Sequence, residues 1–377
     1  MKNDPFYKPL WREETLAEAW QDEKQLEIAC HLWFHHLDWL EDQGWKRAKD
    51  VDSTIAEGLT NPQHRTLRWL SHFVTHTGLA NAHVGLTSSD IEDNVWKCCT
   101  AYSLTSLSWK LVQVIIHLHS ISPTNASVQG YTHLQKAMVL PWDHRLRHWT
   151  SPLDFLADNR PLIAGKLMSG PVGDQRGYNV LFESIPETNL EKQMRLSEQG
   201  TMQSFNWDHF NLDQPWNLFP KQSADYIDEF QAVSWVSQIV AQLHKIALDL
   251  RLLCGFGDIS YSHAPGYIGS SSIKHKNNPI QLEKVCSISR RILNSPREIL
   301  DVISNNALER TIDGSWQLRN CLQETFLLTD KIFDIFLDLP TLSVSNLSKE
   351  EINSDIITEE VVKGKSRWDA LLKHKNL

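Results

Sequence analysis

The chain is 377 residues long and carries 37 basic and 46 acidic side chains, a formal net charge of −9. With 41% hydrophobic and 22% charged residues it is excluded from the disordered class, and its 16 glycines and 15 prolines are too few for a collagen-like or low-complexity scaffold. The acidic balance excludes a general nucleic-acid binder, which attracts phosphate backbones with surplus Lys and Arg; a local cationic site for one small anion stays open.

The length allows two or three domains. The six cysteines, at 30, 98, 99, 254, 286 and 321, form no CxxC pair and no regular spacing. They predict neither a zinc site nor a disulfide framework, but buried reduced thiols in a cytoplasmic protein. No metal and no cofactor is expected. No apolar stretch follows Met1-Lys2-Asn3-Asp4-Pro5, so no secretory signal is visible. The most apolar run, Leu111 to Leu118, is far short of the ~20 residues that span a bilayer, so no membrane contact is expected. Trp (15) and His (17) are plentiful, the former read mostly as core and a few of the latter as chemistry.

In chain order, Ala82 to Asp90 is the first polar interruption, and Ser89-Asp90-Ile91-Glu92 fits a capping box with Ser89 as cap and Glu92 reaching back. Thr87 and Ser88 then stand just outside a helix N-terminus, where free N–H groups either are capped by these hydroxyls or hold an anion. Leu104, Leu107, Leu111, Val114, Ile115 and Leu118 repeat at three and four residues, the stripe of a buried helix face. Thr132-His133 follows Gly130-Tyr131; His133 is either a general acid or a satisfied structural residue. Gly170 to Gln175 is the second interruption. Val233, Val236, Val240, Leu243, Ile246, Leu250 and Leu253 form another long stripe. The third interruption, Gly266 to Pro279, is small at its start and cationic at its end, and Asn278-Pro279 reads as cap plus first helical residue. That loop is either solvated surface or a lid over an anionic substrate. Ser315 and Arg319 share a helix face with Arg310 upstream, a phosphate or carboxylate clamp or a salt-bridged surface. No alternating strand patterns of comparable strength appear, so an all-α helical bundle is the expected architecture.

Three of these segments, in this order, resemble signature regions of the fumarase/aspartase superfamily and, within it, of the adenylosuccinate lyase family. His83-Val84-Gly85-Leu86-Thr87-Ser88-Ser89-Asp90 is similar to the first, Gly130 to Ala137 to the second, and Gly269-Ser270-Ser271 with Lys276, Asn278-Pro279 and Glu283 to the third. Trp20 to Glu27, Gly170 to Gln175 and Arg310 to Arg319 are similar to further family segments, so the resemblance runs from about residue 15 to about 335. It implies a three-domain, almost all-helical subunit with a central long-helix bundle, divided at 1–86, 87–340 and a short 341–377. It also implies a homotetramer whose active sites each draw on three subunits.

The activity implied is elimination of fumarate from an N-succinyl group, with adenylosuccinate and the related imidazole succinylcarboxamide nucleotide as substrates and no nucleic acid or membrane as partner. By resemblance Ser270 is the base, His133 the general acid with Glu283 fixing its tautomer, Lys276 a holder of developing charge and His83 a second histidine at the substrate. His64, Thr87, Ser88, Asp90, Gln175, Ser271, Asn278, Arg310, Ser315 and Arg319 are the implied substrate contacts. The chain departs from the family pattern at Ile273-Lys274-His275, at Asp174, at Leu10-Trp11 and in its short tail after Pro340. These departures keep two other readings open: a lyase for a non-nucleotide aspartate adduct in a specialised pathway, and a degenerate non-catalytic relative.

Overall fold

The computed structural model describes residues 10, 15–42, 64–181, 207–213, 220–261, 273 and 278–345. Ser270, Ser271 and Lys276 of the third motif, with Trp11, Lys274 and His275, lie outside the described residues.

The all-α expectation holds. After the four-residue α1 (Leu16–Ala19) come α2 (Asp22–Asp42), α3 (Arg65–Thr77) and the 33-residue α4 (Ser88–Ser120). Then follow α5 (Trp142–Asp158), α6 (Arg176–Leu181), α7 (Ile227–Phe256), α8 (Ile280–Ile292), α9 (Ser295–Asn305) and α10 (Asp313–Leu337). The apolar stripes read on α4 and α7 are buried along their whole length, from Leu104 to Leu118 and from Val233 to Leu253. All six cysteines are free; five are buried and Cys254 is half-buried. No described helix is long and apolar enough to cross a membrane.

Two small antiparallel pairs escaped the sequence reading. Strands β1 (Ser127–Thr132) and β2 (Gln135–Pro141) form a hairpin, and β3 (Ile259–Tyr261) pairs with β4 (Leu342–Val344). The hairpin gives little alternation to read because most of β2 is exposed.

The chain divides into two compact units. The first comprises Met1–Lys110, Asp158–Val240 and Arg290–Lys331, and the second Leu111–Ala157, Ala241–Ser289 and Ile332–Leu377. In the first, Lys97 of α4 bridges Asp228 (3.0 Å) and Glu229 (3.2 Å) at the start of α7, all three nearly inaccessible. The same unit packs Trp20 on Phe326 and donates the Trp20 indole N–H to Ser103 at 2.9 Å. In the second, His117 meets the Leu339 carbonyl at 2.9 Å and the Trp149 indole N–H is donated to Asp249 at 2.8 Å.

One local expectation is corrected. Helix α4 begins at Ser88, so Thr87 is its cap, and Asp90 rather than Glu92 reaches back, accepting the Thr87 N–H at 2.8 Å. Ser89 instead donates to the Gln222 carbonyl and Glu92 accepts from Thr66 at 2.6 Å. Three consecutive hydroxyl residues compete for the cap, and long-range partners decide among them. Helix α8 likewise starts at Ile280, with the Pro279 carbonyl accepting the Glu283 N–H at 3.1 Å.

Candidate active site

In the first unit the start of α4 is the organising element. Asp90 is fully buried, and its carboxylate accepts N–H groups from Thr87 (2.8 Å), Gly170 (3.0 Å) and Ser169 (3.0 Å) as well as the Lys166 ammonium. That one side chain fastens the glycine-rich segment onto the helix end. The fit demands two glycines. Gly170 has φ +82° and a Cβ there would stand 2.9 Å from the Gly85 carbonyl; Gly85 has φ +73° and lies under the Tyr178 ring. Gln175, 6% exposed, sits in the left-handed region at φ +56° with its N–H donated to the Ser169 carbonyl at 3.0 Å. Asp174, one of the departures from the family pattern, is paired with Arg176 at 2.8 Å. Leu10 is a core residue, 1% exposed, whose carbonyl accepts the Lys24 ammonium.

Two histidines stand beside this platform. His64 caps α3 and places Nε2 3.5 Å from the Ser88 hydroxyl. His83 accepts the Trp33 indole N–H at Nδ1, 3.1 Å away, so its own proton resides on Nε2. Burial pushes its pKa down to about 4 against the pull of Asp90, so the ring is neutral at pH 7 and Nε2–H is its donor.

The same unit holds a cationic pocket of about 300 Å³, lined by Trp20, Gln25, Arg65, Trp96, Trp316 and Arg319. Arg319 donates from Nε to the Ser315 carbonyl at 3.2 Å, and its guanidinium lies 5.5 Å from the centre of the Trp96 ring. Burial first, and then the nearby Arg65, lower its pKa, opposed by Glu92 and Asp22, so two guanidinium groups line one pocket with carboxylates close by. Arg65 is steadied by Asp22 at 2.6 Å and stacks over Trp69 at 4.5 Å. Sequence reading missed Arg65, which no spacing singles out; its only flag is that it follows His64. Arg310 bears electrostatically on the buried Asp93. Its loop is held by Asn306, which donates to Ser223 at 3.0 Å and accepts the Thr311 N–H at 3.1 Å.

The second unit carries His133. It sits at the tip of the β1–β2 hairpin, where Thr132 pairs with Gln135 across a two-residue turn. His133 (φ +52°) and Leu134 (φ +58°) both occupy the left-handed region, the signature of a type I′ turn normally built from Asn and Gly. The exposed imidazole borders a cavity of about 430 Å³ shared with Tyr131, His144, Arg145, His148 and Phe256. Glu283, in the first turn of α8, meets Arg251 at 3.4 Å, and among the described residues of one chain it makes no contact with His133. Asn278 lies just before that helix.

A family model described as lyase matches residues 216–294. The adenylosuccinate lyase of Schizosaccharomyces pombe is 29% identical over 265 residues, covering 68% of this chain and 52% of that protein. That of Caenorhabditis briggsae is 27% identical over 282 residues, covering 72% and 57%. The chain thus spans about half the length of these relatives. Among solved structures, a fumarate lyase from Mesorhizobium sp. BNC1 superposes with TM-score 0.64 at 16% identity, over 89% of this chain and 77% of that one. The beta-carboxy-cis,cis-muconate cycloisomerase of Acinetobacter calcoaceticus sp. ADP1 superposes with TM-score 0.68 at 15% identity, over 97% and 83%. The helical fold, the lyase match and the adenylosuccinate lyase relatives together set this chain's likeness within the fumarase/aspartase superfamily, on its adenylosuccinate lyase side.

Proposed function

We propose that this chain contributes to a lyase centre that eliminates fumarate from an N-succinyl substrate, with adenylosuccinate and the related imidazole succinylcarboxamide nucleotide as its substrates. The observation that carries the reading is the grouping of His64, His83, Ser88 and the Arg65–Arg319 pocket around the first turns of α4. Carboxylates find hydroxyl donors at Ser88 and Thr87 beside the positive end of that helix, and a phosphate finds two guanidinium groups. Neutral His83 supplies an N–H donor at Nε2 without adding charge.

In this reading Ser270 takes the proton from the carbon beside the succinyl carboxylate, and the resulting negative charge spreads onto that carboxylate. Lys276 and Asn278 hold it. The C–N bond then breaks as His133 gives a proton to the leaving nitrogen, yielding fumarate and the free amine. His133 and Glu283 come from different subunits of a homotetramer; within one chain Glu283 meets Arg251 instead. The Asp174–Arg176 pair and the Arg65–Arg319 pocket favour the nucleotide over a non-nucleotide adduct.

Purified protein is expected to release fumarate from adenylosuccinate, followed by ultraviolet absorbance. Ser270→Ala is expected to abolish the rate. Arg65→Leu is expected to raise KM with kcat largely kept, because a phosphate contact remote from the reacting carbon contributes uniform binding. Fumarate release only from a succinylated amine lacking phosphate, or a Ser270→Ala rate equal to wild type, overturns the assignment.

A further inference from the structure

His31 and His35 stand one turn apart on α2, and the short 3-10 turn Trp207–Phe210 brings His209 against them. The Nδ1 of His31 and the Nε2 of His209 are 2.9 Å apart, and one ring nitrogen from each of the three residues lies within 4.8 Å of the others. The proposed elimination uses none of them. The His35 ring also lies against His209, with ring centroids 4.6 Å apart, and meets Phe210 edge-on at 5.3 Å, so three imidazoles share one contact. Two nitrogens bound tetrahedrally at ~2.1 Å from a metal ion stand about 3.4 Å apart, a value bracketed by the distances here.

His209 is held by packing. Trp207 and Phe210 on either side are fully buried, and a Cβ at Gly165 would strike the Trp207 ring. Asp213 accepts the Ile163 N–H at 2.8 Å, which secures the far end of the segment. The surrounding charges are also suited. Asp38, one turn beyond His35, bears electrostatically on that ring, and Lys24 near His31 is paired with Glu27 at 3.0 Å.

We propose that His31, His35 and His209 form a three-imidazole site, completed by water, for a divalent late first-row metal ion of the zinc class, and that the ion fastens α2 to the 207–213 segment. An all-imidazole set selects zinc, copper or nickel over the hard cations magnesium and calcium. Burial keeps the His31 and His35 rings neutral, with pKa values pushed down to about 3 and about 4, so their lone pairs are available at neutral pH.

The test uses the full chain stripped with a chelator and titrated with Zn²⁺, with Co²⁺ as a spectroscopic substitute. Wild type is expected to take up one tight equivalent per chain, to show the intense visible bands of four-coordinate Co²⁺, and to melt at a higher temperature with the metal. His209→Gln is expected to weaken that equivalent by more than about tenfold and to remove the thermal shift. His35→Gln serves as the second variant should His209→Gln fail to fold. His72→Gln/His76→Gln, an exposed pair on α3 with rings 4.0 Å apart, is expected to leave the equivalent intact. No tight Zn²⁺ uptake, uptake lost with His72 and His76, or uptake unchanged in both His209→Gln and His35→Gln overturns the site.

Discussion

Asp90 has no exposed surface, and its two oxygens are divided among three backbone N–H groups and the Lys166 ammonium. A carboxylate so occupied has little capacity left for a substrate. Its work is to hold the Thr87-Ser88 backbone and the Gly170 segment in one place, which makes it a positioning residue. Removing its charge leaves the 5%-exposed Lys166 ammonium without its counter-ion. Asp90→Asn is therefore expected to cost about 3–5 kcal/mol, read as a lower urea midpoint with an unchanged slope. Adding Lys166→Met is expected to recover part of that loss, because the double variant no longer buries a lone charge. Strictly additive losses from the two single variants would show that the pair is not the source of the effect.

Helix elements follow from residue spacing, whereas the turns that carry chemistry follow from long-range fit. The stripes from Leu104 to Leu118 and from Val233 to Leu253 were legible because a 3.6-residue period has one buried solution. The motifs at residues 83–90, 130–137 and 269–283 stand whole in the sequence; the first two lie among the described residues, and of the third only 273 and 278–283 do. Three things were not legible. The cap of α4 depends on which hydroxyl Gln222 and Asp90 claim. Arg65 joins Arg319 only through the packing of α3. His31 and His35 show helical spacing, but their partner His209 is 178 residues beyond His31. The β1–β2 hairpin adds a conflict between local preference and placement, since a branched aliphatic residue, Leu134, is held at φ +58° while 61% exposed. An L-residue with a Cβ incurs about 1–2 kcal/mol in that region. Leu134→Gly is expected to stabilise the chain by about 1 kcal/mol, measured by thermal unfolding, with His133 left in its turn. A destabilised Leu134→Gly protein would mean that the leucine side chain packs against something worth more than the strain.

At the scale of the whole molecule, acid sensitivity follows from histidines buried in neutral form. His36 is inaccessible on α2, donates Nε2–H to the Val84 carbonyl at 3.1 Å and so ties α2 to the loop that carries His83. Burial pushes its pKa down to about 4, with His83 adding to the shift and both the Val84 carbonyl and Asp90 opposing it. The unfolded imidazole titrates near 6.5, so between that value and about 4 the unfolded chain binds a proton that the folded chain refuses. Stability from this group is complete above pH 6.5 and declines as pH falls toward 4, by about 3 kcal/mol in all. His83, shifted in the same direction, steepens the decline. Gln at position 36 can still donate to Val84 but cannot titrate. His36→Gln is expected to flatten the slope of unfolding free energy against pH by about 1.4 kcal/mol per pH unit between pH 4.5 and 6, whatever its effect at neutral pH. That slope, taken from urea unfolding at a series of pH values on metal-free protein, separates the proton uptake of this one ring from the general loss of carboxylate charge. An unchanged slope would mean that groups other than His36 govern acid unfolding, and that the pairing of α2 with the His83 loop is not the acid-sensitive joint of the molecule.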